Sequence, residues 1–358
     1  MNEPLLTRAE CAALRGLAII GIFLHNYCHW LGPVVKENEY TFSQHNVDWL
    51  TAVMASPDGL LLAHLVSFFG HYGVPVFLFL SAYGLELKYG RSLYAPAFRF
   101  VAYHWKKLFS MMIVGFVSFT IVDAMTPGRW HYTLTQVVAQ LAMVNNLLPD
   151  PDHNIWPGPF WFFGLMLQLY AVYRLLLYKR HWAWTAGAMV VCLGVQLAFA
   201  PESEALNWYR YNFMGGMLPF GLGLLYARYG NRIILTNLNT LSLLVSVVFC
   251  GFMVMWMSAS YLLWSVVPLV VCILCVYVVK LLSQAARRPV GAWLMERLVW
   301  MGEISAALFV IHPTLRKVFI PISRHGDIYT GLLLYAIAAI GAAWLIRLVM
   351  TKIPKPQM

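Results

Sequence analysis

The residues best suited to chemistry lie in the first apolar run of the sequence. Arg15 opens this run, and His25, Asn26 and His29 lie toward its far end. In an α-helix His25 and His29 are neighbours on one face, and Asn26 falls almost on the line of Arg15. The face therefore predicts one path, with Arg15 at the inner end and the other three residues along the outer half. An imidazole suits a general base because the ordinary pKa of histidine is close to neutral pH.

A structural role is the alternative for part of this set. Arg15 could extend to one membrane interface and His29 to the other, each with its polar group in water. His25 lies deeper, and an intramembrane histidine that faces a bundle interior indicates a functional site.

Three further apolar stretches carry polar groups of the same kind. They are His71, Ser81 and Tyr83; Trp161, Gln168 and Tyr170; and Glu303, Ser305 and His312. Each stretch has a structural alternative as well. His71 could cap a loop, Trp161 could belong to an interfacial aromatic belt, and His312 could be a satisfied core histidine followed by a proline kink.

The elements that must position these residues are membrane-spanning helices. The chain has 358 residues, of which 60% are hydrophobic and 11% charged, and its mean hydropathy is +0.66. So much apolar surface needs lipid as its solvent, which predicts an all-α polytopic membrane protein. The net charge of +10 is dispersed between apolar runs without a continuous patch, so it does not indicate nucleic-acid binding.

The hydropathy pattern predicts about ten transmembrane helices in one domain over residues 1–358. Their expected bounds are 11–31, 66–87, 108–125, 160–178, 182–200, 211–227, 238–258, 261–282, 299–320 and 330–350. Basic residues concentrate in loops on one side, as in the connection 88–107 and the loop 287–297. This bias predicts that both termini are cytoplasmic, which an even number of crossings allows. The first helix lacks a cleavage site and is expected to remain in the protein.

Four of these stretches together resemble the membrane-bound acyltransferase-3 family, in its branch without an added extracytoplasmic domain. The motifs that carry the resemblance are Arg15-Gly16-Leu17-Ala18 with His25; Gly73-Val74-Pro75-Val76-Phe77-Leu78-Phe79-Leu80-Ser81; Phe160-Trp161-Phe162-Phe163 through Tyr170; and Ser305 through His312-Pro313. In the family the histidine usually lies one residue further from the arginine, which leads here to Asn26. We take His25 because an asparagine cannot accept a proton. Many relatives also carry a glutamate where this chain has Met166, Leu167 and Gln168.

The resemblance implies transfer of an acyl group, usually acetyl, from cytoplasmic acyl-CoA to a sugar hydroxyl of a surface glycan or a lipid-linked precursor. His25 would be the catalytic residue, as the base that deprotonates the acceptor hydroxyl or as a relay for the acyl group. Arg15 would bind the CoA phosphates with paired donors. Acyl-CoA is then a co-substrate, and no tightly bound cofactor or metal is expected. The outer loops offer carboxylates and aromatic rings to a carbohydrate, in Asp48, Asp150, Asp152, His153 and Trp156. The expected location is the bacterial inner membrane, in contact with lipid, and a homo-oligomer is compatible with the sequence.

Two other functions stay open at this point. A carrier or exporter of a glycan or small solute could use His25, His29 and His312 as a proton relay. A non-catalytic subunit of polysaccharide synthesis could keep the fold while lacking the glutamate. No internal repeat of the transporter kind is visible, and the basic inner loops suit CoA, so both observations favour the enzyme.

Overall fold

The computed structural model of the protein describes residues 5–90, 96–354 and 356–357. Residues 91–95, within the predicted basic connection 88–107, lie outside the described part. Helices contain 79% of the residues, and the described part of the chain has no strand.

Sixteen α-helices follow one another in the described part of the chain. They are α1 (Arg8–Cys28), α2 (Gln44–Ala55), α3 (Leu61–Phe69), α4 (Gly73–Tyr89), α5 (Ala97–Met125), α6 (Leu134–Ala142), α7 (Pro151–Asn154), α8 (Trp161–Val172), α9 (Trp182–Leu197), α10 (Glu204–Tyr211), α11 (Phe213–Tyr229), α12 (Thr240–Met257), α13 (Tyr261–Trp264), α14 (Val267–Ala285), α15 (Pro289–His325) and α16 (Ile328–Lys352). A 3-10 turn at Gly70–Tyr72 joins α3 to α4, and a π-helical turn at Tyr173–Leu177 extends α8.

The prediction of an all-α polytopic membrane protein is confirmed. Eight helical segments of the described chain are long and apolar enough to cross a membrane; they are α1, α3 with α4, α5, α8 with its extensions, α12, α14, α15 and α16. The other two predicted spans correspond to α9 and α11, which have 16 and 17 residues. Helices α5 and α15 begin about ten residues before the starts predicted for the spans 108–125 and 299–320. The reason is that a helix continues through polar residues beyond its apolar part.

Helix α1 is the central element, since it packs against α3, α4, α14, α15 and α16. Its backbone almost touches that of α15 at two glycines. A Cβ on Gly16 would lie 2.0 Å from the Leu298 carbonyl oxygen, and one on Gly302 would lie 1.8 Å from that of Ala12. Small residues at such a crossing let two helices approach closely, which gains van der Waals contact where lipid provides no hydrophobic driving force.

Ion pairs show that the start of α1 and the end of α16 lie at the same end of the bundle. Glu10, near the start of α1, accepts a hydrogen bond of 2.9 Å from Lys280 near the end of α14. Glu303, one residue after the Gly302 contact with α1, pairs at 2.9 Å with Arg347 near the end of α16. We call this the terminal end and the opposite one the distal end. Helix α1 therefore runs from the terminal end at Arg8 to the distal end at Cys28.

Candidate active site

Several of the predicted polar residues face one cavity of about 320 Å³ at the distal end, which we call the main cavity. Three residues of α1 line it, Ile22, His25 and Asn26, together with His29, which caps the C-terminus of the helix. Their spacing of three, one and three residues is that of a single helical face. The remaining walls come from the loop after α1, the segment 151–162 and residues of α4, α10 and α15.

His25 is held in one orientation by the backbone of α3. Its Nδ1 lies 2.7 Å from the carbonyl oxygen of Ser67, and the side chain is only 2% exposed. A carbonyl oxygen only accepts hydrogen bonds, so Nδ1 of the neutral ring carries the proton and Nε2 keeps its lone pair. Nε2 is therefore the atom able to take a proton from a substrate.

A glycine allows this close packing around His25. Gly70 follows α3, and a Cβ at this position would lie 2.6 Å from both the His25 Cβ and the Gly21 carbonyl oxygen. Any side chain here would push α1 and the α3–α4 turn apart.

The loop after α1 returns two glutamates to the histidines. Glu37 Oε1 accepts a hydrogen bond of 3.0 Å from His29 Nδ1, and Glu39 Oε2 lies 3.8 Å from His25 Nε2. The His25 and His29 rings are neighbours, with centroids 4.8 Å apart. The Arg210 Nε donates to the Glu39 carbonyl oxygen at 2.8 Å and so fixes the loop from α10.

The two glutamates differ in charge although they are two residues apart. Burial alone would raise the pKa of Glu37, but His29 and His25 beside it hold that pKa well below its usual value. Burial, together with the Glu37 carboxylate, raises the pKa of Glu39 to about 8. At neutral pH Glu37 is a carboxylate, and Glu39 keeps its proton.

An aromatic wall stands opposite the histidines. Tyr40 and Tyr211 stack with ring centroids 3.9 Å apart, and Trp161 meets both rings edge-on. The Tyr211 hydroxyl donates to Asp152 Oδ1 at 2.7 Å, and Trp156 also lines the cavity. Flat rings beside a carboxylate are typical of a surface that binds sugar rings.

A buried arginine closes the cavity from α15. Arg316 is 5% exposed, and its Nη1 lies 3.3 Å from both the backbone oxygen and Oδ1 of Asn26. Its guanidinium lies 4.8 Å from the centre of the Trp30 ring.

Of the predicted residues, His25, Asn26, His29 and Trp161 line this cavity. His71 lies next to them, with its ring centroid 5.6 Å from that of His25. It faces a smaller cavity of about 40 Å³ that shares Glu39 and Trp161 with the main one. Both ring nitrogens of His71 are buried without a hydrogen-bond partner among the described residues.

The other predicted residues lie apart from this cavity. Tyr83 accepts a hydrogen bond from the Leu6 amide, and Ser81 bonds Tyr170 at 3.0 Å. Gln168 accepts from the Phe213 amide at the start of α11, and Glu303 forms the outer pair with Arg347. The two remaining α15 side chains bond their own helix, Ser305 to Gly302 and His312 Nδ1 to Leu308.

Arg15 is half-buried on α1, ten residues toward the terminal end from His25. This separation is about 15 Å along the helix. Of the five loop residues expected to meet a carbohydrate, Asp152 and Trp156 line the cavity. Asp48 instead bonds Gln44, and Asp150 pairs with the exposed His153.

Sequence reasoning missed Glu37, Glu39, Tyr211 and Arg316. Only Arg316 left a usable signal, because it follows His312 by four residues and so shares its helical face. Nothing in the spacing of Glu37 and Glu39 indicates that their loop folds back onto His25.

One group in the described chain has the composition of a metal site. The possible ligand atoms of His25, His29 and Glu37 all lie within 4.8 Å of one another. Two imidazoles and one carboxylate are ligands that zinc accepts. Nε2 of His25 cannot be both a metal ligand and a base, so the absence of a resident metal remains our prediction.

The fold and this site define a polytopic membrane protein with an oriented, buried histidine. A sequence model described as an acyltransferase domain matches residues 11–348. The chain therefore belongs to the acyltransferase-3 family, and it is a membrane acyltransferase in general class. Neither the curated proteins nor the solved structures contain a match to it.

Proposed function

We propose that this protein transfers an acetyl group from acetyl-CoA to a hydroxyl of a cell-surface glycan or a lipid-linked sugar. The observation that carries the proposal is the orientation of His25. Its Nδ1 is fixed at 2.7 Å from the Ser67 carbonyl oxygen, so Nε2 is the free base on the cavity side, beside Glu39. A base held in one tautomer by a backbone acceptor suits proton abstraction from a hydroxyl.

In the proposed reaction His25 carries out both proton transfers. Nε2 takes the proton of the acceptor hydroxyl while the hydroxyl oxygen attacks the thioester carbonyl carbon. The tetrahedral intermediate then collapses, the carbon–sulfur bond breaks, and the imidazolium returns its proton to the leaving CoA sulfur. The Glu37 carboxylate, held by His29 at 3.0 Å, lies close enough to stabilise the imidazolium formed between these steps.

The donor would enter from the terminal end, which we take as cytoplasmic, in a bacterial inner membrane. Arg15 would contact the CoA phosphates there, since a guanidinium offers paired donors to phosphate. The slender pantetheine arm would then cover the roughly 15 Å along α1 that separates Arg15 from His25. The acceptor would bind at the distal end, between the histidines and the rings of Tyr40, Tyr211 and Trp161.

The test compares two histidine variants of the full chain in lipid nanodiscs. Release of CoA thiol from acetyl-CoA and mass of the acetylated product are measured with extracted surface glycan as acceptor. We expect His25→Gln to abolish transfer, whereas His45→Gln, at an exposed position on α2, leaves it unchanged. Folding of both variants is checked by thermal unfolding.

Two outcomes would contradict the proposal. Full transfer by a folded His25→Gln variant would remove His25 from the chemistry. Flux of glycan across proteoliposomes without acetyl-CoA, combined with no transfer, would favour the carrier.

A further inference from the structure

A second cavity adjoins the main one and is rich in basic side chains. It lies between the distal parts of α5 and α15 and has a volume of about 380 Å³. Trp30 and Trp156 line both cavities, and so does Arg316. A ligand that occupies both would therefore pass the two indole rings. Lys317 and Arg324 provide the other cations of this second cavity.

The three cations differ in how their charge is balanced. Lys317 pairs with the buried Asp123. Arg316 and Arg324 have no carboxylate partner in the part of the chain that the structure describes. Arg316 is nevertheless 5% exposed, and a buried cation without a counter-ion is costly. An anionic ligand in the cavity would supply the missing charge.

Both arginines are held in place around a single indole. The Arg316 and Arg324 guanidinium carbons lie 4.8 Å and 6.0 Å from the Trp30 ring centre. Arg316 uses Nη1 toward Asn26, and Arg324 uses Nη2 toward the Trp30 carbonyl oxygen at 3.1 Å. A guanidinium has five N–H donors, so each arginine retains donors for a further acceptor. Paired N–H donors of this kind match the oxygens of a phosphate.

The second cavity borders the lipid-facing surface of the bundle. Its walls include Phe119 of α5 and the exposed Pro321 of α15. On the same two helices Ile121 and Val318 are 56% and 45% exposed, and in a membrane such apolar side chains contact lipid. A phosphate carried by a lipid could therefore reach the arginines from the bilayer, without passing through the main cavity.

We propose that the second cavity binds the phosphate of a lipid-linked sugar, with Arg316 and Arg324 as its ligands. This inference rests on the proposed acyl transfer and narrows its acceptor to a phosphorylated lipid carrier. The sugar attached to the phosphate extends past Trp30 and Trp156 into the main cavity, where its hydroxyl meets His25.

The test measures binding of a fluorescent isoprenoid monophosphate to the full chain in phosphatidylcholine nanodiscs. Arg324→Gln is the main variant, since Arg324 is exposed and its loss leaves the buried core intact. Loss of one charge-assisted contact should weaken binding about tenfold or more. Arg297→Gln, which removes an exposed arginine at the terminal end of α15, should bind as the wild type does. Arg316→Gln is expected to act in the same direction as Arg324→Gln.

Three probes separate the sources of the phosphate. The isoprenoid alcohol should bind far more weakly than its phosphate, and inorganic phosphate should compete only weakly. Unchanged binding by Arg324→Gln, or equal binding of alcohol and phosphate, would overturn the proposal. Affinity for phosphatidylglycerol equal to that for the isoprenoid phosphate would overturn the assignment to an acceptor lipid.

The outcome stays separable from that of the proposed function. His25→Gln should retain binding of the isoprenoid phosphate, because His25 is not a ligand of the second cavity. If the wild type binds the isoprenoid phosphate but transfers no acyl group, the result would contradict the proposed acyl transfer and would support the phosphate site. Transfer that is insensitive to Arg324→Gln at low acceptor concentration would contradict the phosphate site alone.

Discussion

The same glutamate-to-glutamine change should have very different effects on the transfer rate at two positions of one loop. Glu37 is a carboxylate at neutral pH, because His29 and His25 outweigh its burial and hold its pKa low. Glu39 is neutral below pH 8, because burial and the Glu37 carboxylate raise its pKa to about 8. Glutamine is close in shape to glutamate, but it is neutral and so matches the charge of the protonated Glu39 and not that of the Glu37 carboxylate.

The expected magnitudes follow from these charges. Glu37→Gln replaces the charged bond of 3.0 Å to His29 by a neutral contact. A hydrogen bond to a charged group contributes roughly 1.5–3 kcal/mol, which corresponds to a loss of about 10- to 150-fold in kcat/KM if the bond acts in the transition state. Glu39→Gln removes no charge at pH 7, so we expect less than a threefold change.

The pH dependence gives the sign of the Glu39 effect. Below pH 8 Glu39 carries its proton in the folded protein, and as the pH rises through about 8 it becomes a buried anion. The negative charge that develops on the thioester oxygen lies in the same cavity, so the wild-type rate should fall above pH 8. Glu39→Gln cannot ionise and should lack this fall.

The assay is the acetyl-transfer rate of wild type, Glu37→Gln and Glu39→Gln from pH 6 to pH 9.5 in nanodiscs. Thermal unfolding at each pH confirms that the variants are folded. Equal losses for both variants at pH 7 would refute the charge assignment. An unaltered alkaline fall in Glu39→Gln would show that another group produces it.

Two further predictions concern the packing and the ligands of the same site. Gly70→Ala should destabilise the protein by about 1–3 kcal/mol and lower kcat, since its Cβ would lie 2.6 Å from that of His25; Gly84→Ala, which meets open space, is the control for thermal unfolding and transfer. Zn²⁺ should inhibit transfer through His25, His29 and Glu37, more weakly at low pH because protons compete for the imidazoles, and a chelator should restore the rate. A Glu37→Gln variant as sensitive to Zn²⁺ as the wild type would exclude this site.

The helix bundle could be predicted from the sequence because membrane solubility leaves a simple local signal. Each apolar run of about 20 residues reports one helix without reference to the rest of the chain. The same local rule identified the polar face of α1, where His25, Asn26 and His29 line one cavity. Helical spacing within one element is sufficient for both inferences.

The surroundings of that face depend on contacts between distant elements, which spacing does not encode. Glu39 lies beside His25 in a loop whose backbone is held by Arg210, 171 positions away, and by Trp264, which donates to the Asn38 carbonyl oxygen. Glu303 lies near the family-like motif of α15, yet its partner is Arg347 at the outer surface. In both cases the deciding contact joins two helices or a helix and a loop.

The distribution of charge around the two cavities determines how an acceptor would lie in them. Glu37 and Asp152 line the main cavity. Arg324 lines the second one and Arg316 lies at the boundary and lines both, and neither arginine has a carboxylate partner in the described chain. A phosphorylated sugar placed with its phosphate toward Glu37 would bring two like charges together in a buried space, where their repulsion is strong. The reverse placement joins phosphate to the arginines and leaves the sugar between the aromatic rings. In this second orientation a sugar hydroxyl meets the free Nε2 of His25. Binding of the phosphate would therefore also determine which hydroxyl is acylated.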